Sequence, residues 1–248
     1  MNVWIYSIAS VFMVSLISLI GVATLSFGAQ RIKKIILFLV SFAVGALFGD
    51  AIIHLLPETF EKISSRSLAS LLVLGGILLF FILEKFIHWR HCHMDSCSNH
   101  WHPNVSISIS GNIIHNLIDG MLIGASYSIS ISLGIATTLA ILLHEIPQEI
   151  GNFGILIHSG FSVRKALLIN FLAALTAFLG VFFSLVSRNY VANFTSYLIP
   201  IAAGGFLYIA GSDLIPELKH ETKIAASVGQ LAAIIFGIAV MASLLLIE

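Results

Sequence analysis

Eight apolar runs partition almost the whole chain, at about 3–27, 35–57, 68–87, 106–130, 133–157, 166–187, 195–216 and 225–247. Each is close to the ~20 residues that a helix needs to cross the hydrocarbon core of a bilayer. Charged residues make up only 10% of the 248 and the mean hydropathy is +1.02, whereas a soluble domain carries about 25% charge. A chain so poor in charge cannot cover its surface with solvated groups, so lipid is the solvent for most of it. The sequence therefore predicts an all-α integral membrane protein of about eight transmembrane helices, forming a single domain over 1–248. The formal net charge is zero, which offers nucleic acid no attraction. Met1 to Phe27 reads as a first spanning helix, because it lacks the basic leader and cleavage site of a secretory signal.

The breaks between runs hold most of the charge, and the basic residues orient the chain. One set of loops carries Arg31, Lys33, Lys34, Lys85, Arg90, Arg164, Lys165, Lys219 and Lys223, and the opposite set carries Lys62, Arg66 and Arg188. The richer set belongs in the cytosol, which places both termini on the extracytoplasmic side. Short ends and no extracellular domain point to a prokaryotic inner membrane. Segments four and five are separated only by a Ser-rich turn near Ser126 to Ser132, so they are antiparallel neighbours. A faint echo links His54-Leu55-Leu56-Pro57-Glu58 in segment two with Asp213-Leu214-Ile215-Pro216-Glu217 in segment seven. In this topology the two stretches point opposite ways, as in the inverted repeats of transporter folds.

Polar groups inside the apolar runs require a reason, since a charge at the bilayer centre costs at least about 2.5–3.5 kcal/mol. Segment four holds Asn112, His115, Asn116 and Asp119, which fall on an arc of roughly 100° of a helix. Segment five holds His144, Glu145, Gln148, Glu149 and Asn152 on an arc of roughly 140°. The short turn lets these stripes face each other near mid-membrane. Imidazole, carboxylate and amide oxygens are ligands for first-row divalent cations, and imidazole favours zinc or iron over magnesium. His115 and Asp119 reach one ion from a single helix, and His144 and Gln148 reach it from the other, with Glu145 and Glu149 one position round. Pro147 deprives the Leu143 carbonyl of its partner and is expected to kink segment five beside these ligands. Asp50 and His54 in segment two, with Asp213 and Glu217 in segment seven, extend a hydrated path on either side. Taken singly, Asn112, Asn152 and Asn170 read as interhelical hydrogen bonds, and Gly120 with Gly124 as a close-packing step.

The stretch from His88 to His102, HWRHCHMDSCSNHWH, gathers His88, His91, Cys92, His93, Cys97, His100 and His102 with Asp95. Two cysteines do not make a disulfide framework, and the spacing matches no closed four-ligand site. It reads as a cytosolic His/Cys-rich loop over 88–104 that captures metal loosely.

These residues together resemble the ZIP family of metal-ion transporters. The resemblance covers the whole chain: eight segments, a His-rich loop after the third, HNLID at His115 to Asp119, and HEIPQE at His144 to Glu149. It is strongest for the subfamily whose fifth segment reads HEIPHE, which Gly49-Asp50-Ala51-Ile52-Ile53-His54-Leu55-Leu56-Pro57-Glu58 in segment two also resembles. The resemblance implies an inverted-repeat bundle and a metal site between segments four and five, sometimes binuclear. Its matching positions are His115, Asn116, Asp119, His144, Glu145 and Gln148, with His54 from segment two. It further implies movement of Zn2+, or in some members Fe2+, Mn2+ or Cd2+, toward the cytosol. One helix bundle slides or rocks against another, often in a homodimer. The metal is the bound substrate, and no catalytic cofactor is implied. Gln148 departs from the subfamily's histidine, which weakens the second metal position, because an amide oxygen is a poorer zinc ligand than imidazole.

Two rivals stand beside a transporter. An intramembrane zinc metalloprotease needs HExxH on one helix, and here position 148 is Gln and Pro147 interrupts the motif. A metal-sensing membrane protein would bind ions at His88 to His102 without flux.

Overall fold

The structure, a computed structural model, describes residues 3–21, 29–89, 103–191, 193–219 and 224–247. Among the described residues all regular structure is helical. Segment one is the helix Val3–Ile17 with a tighter turn over Ser18–Ile20. Segment two runs through Ala29–Gly49, a wide π turn over Asp50–Leu55 and a last α stretch Leu56–Lys62. Segment three is Arg66–Trp89, segment four Pro103–Ile129 and segment five Ile131–His158. Segment six breaks briefly between Val163–Ala174 and Thr176–Ser187. Segment seven is Phe194–Tyr208, a second π turn over Ile209–Leu214 and a short end Ile215–Leu218. Segment eight is Ile224–Ser243.

Seven of these are long and apolar enough to cross a membrane. Segment four falls short on composition, because its polar stripe dilutes the apolar run. Its 27 residues nevertheless reach about 40 Å at ~1.5 Å per residue, and it packs against segments five and six inside the bundle. The outward faces carry side chains such as Phe12, Leu71, Leu78, Leu179 and Phe236, all exposed. In water such a surface would aggregate, whereas in lipid it is solvated. This is an all-α, multi-pass membrane protein.

The expected Ser-rich turn is a single extended residue. Ser130 (φ −148°) accepts a hydrogen bond from the Leu133 N–H at 3.1 Å and so caps segment five. At Pro147 no turn widens: segment five is α-helical from Ile131 to His158 through the proline. Departures from α geometry fall instead before Pro57 and Pro216. Each π turn begins seven residues before its proline, 50 before 57 and 209 before 216. In each the closing bond spans five residues, Leu56 N–H to the Ala51 carbonyl and Ile215 N–H to the Ala210 carbonyl. A proline that cannot donate leaves a carbonyl free to take such wider partners. The faint sequence echo thus corresponds to the same backbone device in the same register.

The packing repeats in the same way. Segments two and eight pair, as do seven and three; four pairs with six, as five does with one. Exchanging one with six, two with seven, three with eight and four with five maps each pairing onto another. Glycines allow the closest approaches. A Cβ at Gly45 would strike the Ile234 carbonyl and one at Gly237 the Phe42 carbonyl, joining two to eight. Gly76 meets the Ile201 carbonyl and Gly204 the Val73 carbonyl, joining three to seven. Small residues let backbones touch where lipid supplies no hydrophobic drive between helices. The result is two four-helix groups, one of segments two, three, seven and eight, the other of one, four, five and six. Val44, Leu47, Ile123, Ile141 and Phe206 are buried in the core.

Candidate metal site

The two polar stripes meet where segments four and five cross. From segment four, His115 and Asp119 stand one turn apart; from segment five come the neighbours His144 and Glu145. One ligand atom from each lies within 4.8 Å of all the others. His115 Nε2 is 3.1 Å from His144 Nε2, 3.5 Å from Asp119 Oδ2 and 3.4 Å from Glu145 Oε1. His144 Nε2 is 3.4 Å from Asp119 Oδ2 and 4.0 Å from Glu145 Oε1. Four ligands at ~2.0–2.1 Å from a tetrahedral zinc are separated from one another by about 3.3–3.4 Å. The observed spacings bracket that edge length.

Burial sharpens the chemistry. Asp119, His144 and Glu145 are at most 1% exposed. Both Asp119 oxygens and Glu145 Oε1 make no hydrogen bond of ordinary geometry. Two buried carboxylates side by side, with only the two imidazoles close to them, are strongly unfavourable unless a cation joins them. His144 is held in place by its other nitrogen, Nδ1, 3.1 Å from the Ala140 carbonyl, and by Phe206 of segment seven, edge-on at 6.0 Å. That outer bond leaves Nε2 to point at the cluster, the arrangement that orients metal-binding histidines.

The remaining candidates lie outside this group of four. Asp50 and His54 are buried. Asp50 faces the hydroxyl of Thr137 in segment five, and His54 Nε2 is 3.0 Å from the Met241 carbonyl of segment eight. Thr137 was not singled out from the sequence, although it precedes His144 by two turns on the same face. Glu149 accepts from Asn112 Nδ2 at 3.1 Å. Asn116 donates to the Asn112 backbone carbonyl at 3.1 Å and to its side-chain oxygen at 3.0 Å. Gln148 is half-buried, one turn beyond His144. Asp213 lies in the second π turn and Glu217 in the helical end that follows, and His88 in the last turn of segment three; their side chains lie outside those described. His91, Cys92, His93, Cys97, His100 and His102 lie outside the described residues. The GxxxG reading holds: a Cβ at Gly120 would meet the Ala177 carbonyl, and one at Gly124 would crowd Ser184 of segment six.

A helical bundle that brings a half-buried and a buried histidine together with two buried carboxylates at one ion's reach, inside spans lined by lipid-facing side chains, defines a multi-pass membrane protein with a candidate metal site. The comparisons with known proteins are specific. A profile of the ZIP zinc transporter family matches residues 1–112 and 102–245, and the chain belongs to that family. It is 31% identical to "Zinc transporter ZIP13" of Danio rerio over 88% of this chain and 77% of that protein. It is 30% identical to "Zinc transporter zipt-7.1" of Caenorhabditis briggsae over 100% of this chain and 80% of that one. "Metal cation symporter ZIP14" of Xenopus tropicalis is 28% identical over 90% of this chain and 63% of its own length.

Proposed function

We infer that this chain carries divalent metal ions, Zn2+ foremost, across a membrane toward the cytosol through the His115, Asp119, His144 and Glu145 cluster. The observation that supports it most is the set of buried, hydrogen-bond-poor carboxylates facing two imidazoles at tetrahedral spacing. The ion enters past Asp50 and Thr137, which lie beyond His144 on the expected outer side. It exchanges water for the four ligands, then leaves toward Asp213, Glu217 and the loop 88–104. Fe2+, Mn2+ and Cd2+ fit the same donors less selectively, and Gln148, an amide where histidine is usual, weakens a second ion beside the first. Binding stays moderate, because a site that held zinc too tightly would not release it. The two four-helix groups move against each other, with the cluster on the group of one, four, five and six. Two chains pairing as a homodimer fits the family resemblance.

The rival of an intramembrane protease finds no support in the geometry. Its chemistry needs a second histidine at position 148 and an acid free to activate water, whereas Glu145 here sits among the ligands. The prokaryotic inner membrane expected from the sequence stands as part of this proposal, and the relatives above are animal proteins. The test is zinc entry into proteoliposomes loaded with a zinc-responsive dye, with a peptide-cleavage assay on the same protein. Intact chain should give saturable entry and no cleavage. Undiminished entry in a His144→Ala, Glu145→Ala double variant would remove this cluster from the pathway.

A further inference from the structure

The end of segment five and the first half of segment six form a hairpin with a small core of its own. Segment five stops at His158, and the chain turns through Gly160 at φ +87°. There the Phe161 N–H reaches the Leu156 carbonyl at 3.1 Å and the Gly160 N–H reaches the Ile157 carbonyl at 3.0 Å. This pair of bonds closes the helix end through a backbone conformation that suits glycine. Phe153, Leu156 and Ala166 pack together beneath it, with Phe161, Leu167 and Ile169 around them, in a cluster separate from the main core. Asn170 of segment six donates its Nδ2 to the Glu149 backbone carbonyl of segment five at 3.2 Å and ties the two arms.

Each arm has a weak joint, and both joints lie at one level. In segment five Pro147, two residues past Glu145, withholds the N–H that the Leu143 carbonyl would take. In segment six the α-helix is interrupted at Leu175, where the Phe178 N–H bonds only three residues back, to the Leu175 carbonyl at 3.1 Å. Ser15 of segment one donates its hydroxyl to the Ala174 carbonyl at 3.1 Å. Thr176 Oγ1 lies 2.6 Å from the Ala173 carbonyl and 2.9 Å from the Ile113 carbonyl of segment four. Hydroxyls inserted into a helical ladder bend it. Ile113 precedes His115 by two residues, so this joint, like Pro147, stands just past the metal cluster. On the cluster's other side segment six is fixed to segment four, since a Cβ at Gly120 would strike the Ala177 carbonyl and one at Gly180 the Leu117 carbonyl. The hairpin is held differently. A small cavity separates it from segment four, with Ile109 and Asn112 on one wall and Asn152, Leu156, Ile169 and Asn170 on the other. Its seat is segment one, where a Cβ at Gly21 would fall on the Phe153 ring.

We propose that residues 148–174 are a hinged gate on the expected cytosolic side of the cluster, turning about Pro147 and Leu175 and latched by Phe153 on Gly21. Its part as a gate rests on the transport reading; the hinged motion does not. Lifting the hairpin from segment four along the asparagine-lined cavity gives water a path to the cluster. The rest of segment six keeps its grip on segment four meanwhile, because its buried residues Ala177, Val181 and Leu185 belong to the main core.

The test uses the full chain in detergent, with Cys92 and Cys97 replaced by Ser, and a charged maleimide as the probe. Ala173→Cys reports on the cavity wall of the hairpin, and Val181→Cys, buried like Ala173 but in the fixed half, is the control. The proposal expects Ala173→Cys to react and Val181→Cys to stay unlabelled. Adding Gly21→Ala, which pushes the latch apart, should speed the reaction of Ala173→Cys by about fivefold or more, as overpacking a close contact does. Adding Thr176→Val, which removes a hydroxyl from the joint at equal bulk, should speed it as well. Val181→Cys unlabelled in both backgrounds shows that the bundle is intact. Ala173→Cys as unreactive as Val181→Cys in every background, or rates that rise together at both positions, would overturn the hinge. In proteoliposomes, a short cross-link between Ile109→Cys and Ile169→Cys, across the cavity, should stop zinc entry, and cleaving it should restore entry. Entry that continues through the link overturns the hairpin's role as gate. A chain that carries no zinc even without the link fails the transport reading, while the labelling still decides the hinge.

Discussion

Asp119 and His144 carry the argument at the scale of single residues. Each is buried, and they approach each other at 3.4 Å. Loss of an outer partner of a metal site typically costs about 10–100-fold, so loss of a ligand itself should cost at least that. Asp119→Ala is therefore expected to leave folded protein with at least tenfold weaker zinc binding, read by calorimetry. Protons compete with metal for imidazole and carboxylate, so the apparent affinity for zinc should fall on acidification, measured as uptake at fixed zinc across pH. A flat profile would argue against these donors. That these four side chains meet was legible in the sequence, because His115 and Asp119 stand one turn apart on one helix and His144 with Glu145 on the next, the two joined by a tight turn. The partners of Asp50 and His54 were not. Thr137 is an ordinary residue in an apolar run, and the Met241 carbonyl that meets His54 is backbone, which no side-chain pattern announces.

Among the elements, the glycine contacts make the sharpest claim. Gly75 and Gly76 are sequence neighbours, yet a Cβ at Gly76 would strike the Ile201 carbonyl and one at Gly75 would meet nothing within 4 Å. Gly76→Ala should lower thermal stability in detergent, since forcing atoms into a packed interface costs about 1–3 kcal/mol. Gly75→Ala should be neutral or gain the ~1 kcal/mol by which alanine exceeds glycine in a helix. Equal effects of the two substitutions would contradict the pairing of segments three and seven. Element existence was readable from hydropathy, and six of the eight ran close to the expected limits. The π turns were not readable, because a wide turn needs only a proline downstream and a carbonyl seeking a partner. Pro147 satisfies the same description and segment five stays α-helical, so local sequence does not decide which prolines widen a helix.

For the whole molecule, the two four-helix groups meet where segment two touches five and segment seven touches four. If transport moves one group against the other, fastening that seam must stop it. With Cys92 and Cys97 replaced by Ser, an Asp50→Cys, Thr137→Cys pair joins facing positions of segments two and five. Cross-linking this variant should abolish the uptake that it shows when reduced, and reductant should restore it. Uptake that survives the link would mean that the groups do not move relative to each other at this seam. The inverted relation between halves was only an echo of five residues in the sequence. It became visible once the pairings and the matched π turns were in hand, because packing symmetry survives when side chains have diverged.

The central claim is that zinc crosses the membrane through the four ligands between segments four and five. The most direct measurement is zinc-65 accumulation in proteoliposomes holding equal amounts of intact chain or Asp119→Ala, with bound zinc determined on the same samples. Saturable accumulation by the intact chain, lost together with bound zinc in Asp119→Ala, is the predicted result. Accumulation that persists in Asp119→Ala at the rate of the intact chain would contradict the account.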